Sequence, residues 1–213
     1  MTYRHWPMFD IRLTTPDLEL RHLTEADLDA LAAVLPDDAE QDPAATTYDG
    51  LDRADGRAVT VHQDYWRARG GWRPESWALS FAVLHEGALV GYQGLEGDDF
   101  AILRTVDSSS FLAAEVRGRG LGKQMRAAVL MLAFGPLSAE YAISSAWSDN
   151  HASLAVSRAL GYVDNGVSTH LRGQGAGEMA HLRLTRERWL SSEWPARVTV
   201  SGADACRVFF GLE

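Results

Sequence analysis

A chain of 213 residues, 46% apolar and 23% charged, carries enough hydrophobic material for one domain with its own core, read as spanning 1–213. Its single cysteine, Cys206, excludes an internal disulfide, and no run approaches the roughly 18 apolar residues of a transmembrane helix. The formal net charge of −9 argues against nucleic acid as a partner, because backbone binding needs a basic face; it suits a cationic acceptor such as an amine, or simply keeps the chain soluble. Residues 1–12 lack the apolar run of a signal peptide, so the expectation is a cytoplasmic protein with no membrane partner.

In chain order, residues 18–23 alternate as a half-buried strand. Thr24 then caps a helix whose first turn is acidic, with Leu28, Leu31 and Leu35 at helical spacing before Pro36 ends it. Residues 37–55 read as an acidic loop, and 64–69 as the close of a second helix before Gly70 and Gly71. Strands follow at 77–84 and 88–94, joined as a hairpin, and at 108–116. A glycine- and arginine-rich turn leads into a helix reaching about Phe134. Residues 142–147 form a strand, 150–160 a helix stopped by Gly161, and 167–171 with 179–184 a final hairpin around the loop 173–177. The tail adds a short strand at 197–200 and a last helical turn. Strands interspersed with helices indicate an α/β layer architecture with a mixed sheet.

The turn Arg117-Gly118-Arg119-Gly120-Leu121-Gly122-Lys123 is the most informative stretch. Its glycines remove side chains where a ligand must approach backbone, and the first N–H groups of the following helix favour an anion. Arg117, Arg119 and Lys123 add positive charge, so the physics asks for a phosphate or pyrophosphate. A P-loop fails on spacing, since Gly118 and Gly122 have three residues between them and Gln124 lacks the magnesium-binding hydroxyl. A dinucleotide fingerprint fails too, because the run is G-x-G-x-G. A ligand-free surface turn is the bland alternative.

The pattern Arg117-x-x-Gly120-x-Gly122 resembles the pyrophosphate-binding motif of the GNAT superfamily of N-acetyltransferases. Thr15-Pro16-Asp17-Leu18-Glu19-Leu20-Arg21 with Leu23-Thr24-x-x-Asp27 is similar to the start of its RimJ/RimL-like branch, which acetylates ribosomal-protein N-termini. Asn150-x-x-Ser153 with Leu160-Gly161-Tyr162 resembles that branch's second cofactor segment, so the likeness covers about 15–185. The flanks, 4–10 and 206–211, are similar to an actinobacterial GNAT that binds succinyl-CoA. Two departures stand out: Ala114 where the family often has proline, and Lys123-Gln124 where it often has an acid.

The resemblance implies a GNAT fold with strands splayed at the coenzyme A site, and transfer of an acyl group from acetyl-CoA, or from succinyl-CoA, to an amine. That amine belongs to a small molecule, an antibiotic, a protein N-terminus or a lysine, and a homodimer stays open. It implies donor contacts from Leu112, Ala113, Ala114, Val116, the run 117–123, Asn150 and Ser153, with the amides of Leu112 and Ala113 polarising the acyl carbonyl. Asp107 aligns with an acidic residue before the strand and is the candidate water-mediated base, with Asp99 and Glu96 as weaker alternatives; a solvated strand-end carboxylate is the competing view. Ser153 is the candidate donor of a proton to the departing sulfur, ahead of Tyr162, though Asn150 and Ser153 are also a plain helix cap. His170 and Arg172 are placed toward the acceptor, and Trp66, Trp72 and Trp77 line an acceptor groove or belong to the core. No histidine or cysteine pattern implies a metal. A non-catalytic acyl-CoA sensor with the same grip is the alternative of another class.

Overall fold

The computed structural model describes residues 4–39, 46 and 48–213. Residues 40–45 and 47, part of the expected loop at 37–55, lie outside the described residues. The element order is β1 (Arg12–Thr14), β2 (Glu19–His22), α1 (Leu28–Ala33), α2 (Arg53–Gly70), β3 (Ser76–His85), β4 (Ala88–Asp98), α3 (Phe100–Leu103), β5 (Thr105–Val106), β6 (Ser110–Leu112), α4 (Leu121–Phe134), β7 (Tyr141–Trp147), α5 (His151–Ala159), β8 (Val163–Arg172), β9 (Gly175–Thr185), α6 (Arg186–Leu190) and β10 (Thr199–Ser201).

Two sheets carry the fold. The first runs β10-β1-β2-β3-β4-β6 with every pair antiparallel; the second runs β5-β7-β9-β8, with β5 and β7 parallel. The expected α/β class with a mixed sheet is what the chain adopts.

α4 is the central support. The sequence shows one apolar stripe, but Ala127, Val129, Leu130, Ala133 and Phe134 are buried as well, so nearly every side of the helix faces protein. It packs on β1, β4, β6 and β10 and on α5. On the opposite face of the first sheet, Leu23, Leu28, Leu31, Tyr65 and Ala82 form a smaller apolar cluster beneath α1 and α2. Arg21 pairs bidentately with Asp27 at 2.6 and 2.7 Å, and Asp27 also accepts from the amide and hydroxyl of Thr24, closing the cap the sequence signals.

Several boundaries differ from expectation. α2 begins at Arg53, inside the expected loop, because Asp52 caps it by accepting from the Asp55 amide. The strand expected over 108–116 is shorter: β6 ends at Leu112, and Ala114–Val116 form a 3₁₀ turn. β8 and β9 extend to a tight turn at Gly173, so the expected loop at 173–177 is mostly strand. β1, β5, α3 and α6 are too short for their periodicity to stand out from the sequence.

Candidate active site

The two sheets diverge at one place. Val106 pairs with Ala142 as the last parallel pair between β5 and β7, and Asp107 then bridges across to Glu96 on β4. From there the chain runs with β4 as β6, leaving the far half of β7 with no strand neighbour on that side among the described residues. Gly91 makes the departure close: a Cβ there would overlap the carbonyl oxygen of Phe111.

Ladder alternation shows which main-chain groups face the resulting split. Gly94 donates to Ser109 and Ala113 donates to Val90, so the odd residues of this segment bond to β4 and Leu112 turns its own N–H away from it. On β7, Ser148 donates to Glu178 and Arg186 donates to Glu140, so the even residues bond to β9 and the amides of Ser145 and Trp147 face the split. The expectation that Ala113 polarises the acyl carbonyl is corrected here: its N–H is spent on the Val90 oxygen at 2.9 Å. Ala114 and Val116 lie on the 3₁₀ turn that swings the chain off the sheet, not on a strand edge facing the split.

That turn delivers the chain to α4. Gly118 and Gly120 have φ of +78° and +82°, a region glycine occupies without strain, and a Cβ at either would meet nothing within 4 Å. Lys123 and Gln124 donate back to Gly120, whereas the amides of 118–122 find no protein acceptor among the described residues. Five free N–H groups gathered at a helix N-terminus, beside open space, form a cradle for an anion. Arg117 is less available than the sequence suggests, because it pairs with Asp38 at 2.7 and 2.9 Å and donates Nε–H to the Leu112 oxygen. Arg119 donates to the Glu115 oxygen, and Lys123 is exposed. Gln124 bridges α4 to the 15–17 turn through Thr15 and Asp17, a role the sequence does not reveal.

Asp107 sits at the pivot. Loss of water raises its carboxyl above the ordinary range, against the pull of the Ser108 amide, Arg126 and His181. Glu96 is raised by partial dehydration, with the charges of Asp107 and Asp98 acting the same way. Below them Arg126 is buried, with Nη1 bonded to the hydroxyls of Ser144 and Ser157 and Nε without a partner. The only sequence signal for it is one cation inside an apolar helical run. Tyr162 is buried nearby with its hydroxyl unbonded and its phenol raised by burial.

Asn150 caps α5, its Oδ1 accepting from the Ser153 amide at 3.1 Å. Ser153 is half-buried, and its hydroxyl makes no hydrogen bond among the described residues. Arg172 binds Asp149 at 2.8 and 2.9 Å and lies over the Trp147 ring. Trp72 and Trp77 pack in the aromatic core with Phe210, whereas Trp66 is exposed and donates to Glu25. Two open hollows of about 480 and 570 Å³ lie around Arg188 and Ser191 and share no residue with the split. Among the described residues there is no cluster of three metal-binding side chains and no helix long and apolar enough to cross a membrane.

Residues 17–163 match the family described as the acetyltransferase (GNAT) domain. Among solved structures, the chain is similar to Mycobacterium smegmatis RimJ in complex with CoA-disulfide, at 19% identity over 90% of this chain and 94% of that one, with a TM-score of 0.68. It is also similar to RimL, a ribosomal-protein alpha-N-acetyltransferase in complex with coenzyme A, at 16% identity over 80% and 95% with a TM-score of 0.63. A chimera of Vibrio cholerae spermidine N-acetyltransferase SpeG and hSSAT shares 15% identity over 83% and 99%, with a TM-score of 0.63. At these identities the likeness is one of fold.

Proposed function

The chain belongs to the GNAT acetyltransferase family, and from that premise we propose that it moves an acyl group, acetyl first, from acyl-coenzyme A to a primary amine. The observation that carries the proposal is that, among the described residues, the five amides at 118–122 have no partner and lie next to a split whose two edges present main-chain groups with no strand between them. The cradle fits a diphosphate in charge and in room, and the edges fit a pantetheine arm hydrogen-bonded like an added strand. Two structural relatives carry coenzyme A or its disulfide, which supports the same reading.

When bound, acyl-CoA supplies a thioester carbonyl activated toward an amine. The amides of 118–122 hold the diphosphate, and the Leu112 N–H, which is not bonded to β4, polarises the carbonyl oxygen. Asp107 takes, through water, the proton that the nitrogen loses as the amide bond forms; its raised carboxyl brings its basicity closer to neutral pH. Ser153 hands a proton to the sulfur as the C–S bond breaks, and solvent restores it. The acceptor is a protein N-terminus, a lysine, a polyamine or an amine-bearing antibiotic.

Succinyl-CoA is the second reading, favoured by Arg126, a buried guanidinium whose hydrogen bonds are all to neutral hydroxyls. The test incubates the protein with acetyl-CoA or succinyl-CoA and a panel of these amines, reading free thiol. Amine-dependent thiol release with one donor supports the proposal. Coenzyme A binding without release across the whole panel overturns it in favour of a sensor.

A further inference from the structure

The cation that opens the cradle run is already held by an anion from elsewhere in the chain. Asp38 lies on the turn after α1, and its two carboxylate oxygens accept from Nη1 and Nη2 of Arg117 at 2.7 and 2.9 Å. The Nε–H of the same guanidinium goes to the Leu112 carbonyl at 3.1 Å, at the edge of the split. Leu112 in turn adjoins the cradle, since a Cβ added to Gly122 would stand 3.9 Å from Leu112 Cδ1. The guanidinium is therefore one hydrogen bond from a residue that touches the free amides, and its outer donors belong to Asp38.

Both partners are open to water, with side-chain exposures of 41% for Arg117 and 69% for Asp38. An exposed pair of this kind is weak and screened by salt, whereas a guanidinium grips a phosphate through strong, paired, charge-assisted hydrogen bonds. The segment that carries Asp38 is anchored separately. Arg57 of α2 donates to the Pro36 carbonyl and lies 3.7 Å from the Asp37 carboxylate, and Arg53 donates to the Asp37 carbonyl at 3.0 Å. The turn can therefore release Arg117 and stay attached to α2.

We infer that Asp38 is an internal competitor of the donor: its carboxylate occupies the Arg117 guanidinium, the diphosphate of coenzyme A takes that guanidinium over, and the turn after α1 is released from the donor site. This rests on the acyl-transfer reading of the cradle. The hydrogen bonds from Arg117 hold the Asp38 carboxyl below its ordinary range, so the competing group is a carboxylate throughout the neutral range. Residues 24–70 carry eleven acidic and four basic side chains, a net −7 of the chain's −9. Removing any carboxylate there eases the approach of an anion, so the test has to separate the Asp38–Arg117 pair from the general field.

Coenzyme A binding is measured by calorimetry on the wild type, Asp38→Asn, Arg117→Gln and the double variant, at low and high salt. Asp38→Asn is expected to tighten Kd about three- to fivefold, the size of an exposed ion pair. The gain should vanish in the Arg117→Gln background and shrink at high salt. Asp37→Asn removes a fully exposed neighbouring charge that does not touch Arg117, and should move Kd less than about twofold. A Kd unmoved or weakened in Asp38→Asn, or a gain that persists without Arg117, overturns the inference. A crystal structure with coenzyme A reads the exchange directly. Arg117 on a phosphate oxygen, with Asp38 beyond about 4 Å, supports it, and an intact pair beside the bound diphosphate overturns it. Coenzyme A that binds none of these proteins overturns the acyl-transfer reading together with this one.

Discussion

Replacing Gly120 with alanine separates the backbone's need for glycine from the ligand's. At φ +82° any L side chain is strained by about 1–2 kcal/mol, but the new methyl meets no protein atom within 4 Å, so no clash adds to that cost. For a chain of 213 residues each kcal/mol moves Tm by about 2–4 °C, which puts the expected loss at about 2–8 °C. Coenzyme A at a hundredfold excess over Kd stabilises the wild type by about 2.7 kcal/mol. The methyl projects into the open space beside the free amides, and losing one charge-assisted hydrogen bond there costs about 2 kcal/mol, roughly thirtyfold in affinity. At the same concentration the ligand then stabilises the variant by only about 1 kcal/mol. Thermal melts with and without coenzyme A read both quantities. Gly56→Ala, inside α2 with open space around it, is the control: it gains about 0.5–1 kcal/mol and keeps the full ligand shift. A Gly120→Ala protein that keeps the full ligand shift would refute the cradle.

Asp107→Asn should lower kcat by about a hundredfold or more while the coenzyme A melting shift stays intact. Because the folded Asp107 carboxyl is raised, its ionisation works against folding at neutral pH, so denaturant melts at pH 7 should show no loss of stability in this variant. Asp27 behaves oppositely. Burial alone would raise it, but hydrogen bonds from Arg21 and Thr24 win and lower it to about 2, against an ordinary value of 3.8. A depressed acid stabilises the fold above its unfolded value and loses that contribution as pH falls toward the folded one. Urea melts should therefore show about 2 kcal/mol disappearing between about pH 4 and pH 2 in the wild type and not in Asp27→Asn.

Much of the architecture is legible in the residues. The glycine–arginine run, the apolar pattern behind it and the caps at Thr24 and Asn150 are local signals, set by chain geometry within a few residues. They locate the glycine-rich start of α4 and the start of α5. They cannot say which amides are already spent. Ala113 and Leu112 are neighbours of similar character, yet one bonds to Val90 and the other turns away, because that depends on the register with β4. Arg117 looks like a phosphate ligand until Asp38, 79 residues away, takes its guanidinium.

The sequence by itself determined a glycine-rich helix start, since tolerance of left-handed backbone is a property of a short segment. Only the tertiary structure decided where the two sheets part and which groups meet there. Asp107 lies opposite Glu96 and loses water there, with the charge of Arg126 on α4 pulling its carboxyl back down, because strands and a helix distant in sequence pack at one pivot. Burial and electrostatic coupling are sums over neighbours in space, and no spacing along the chain encodes them.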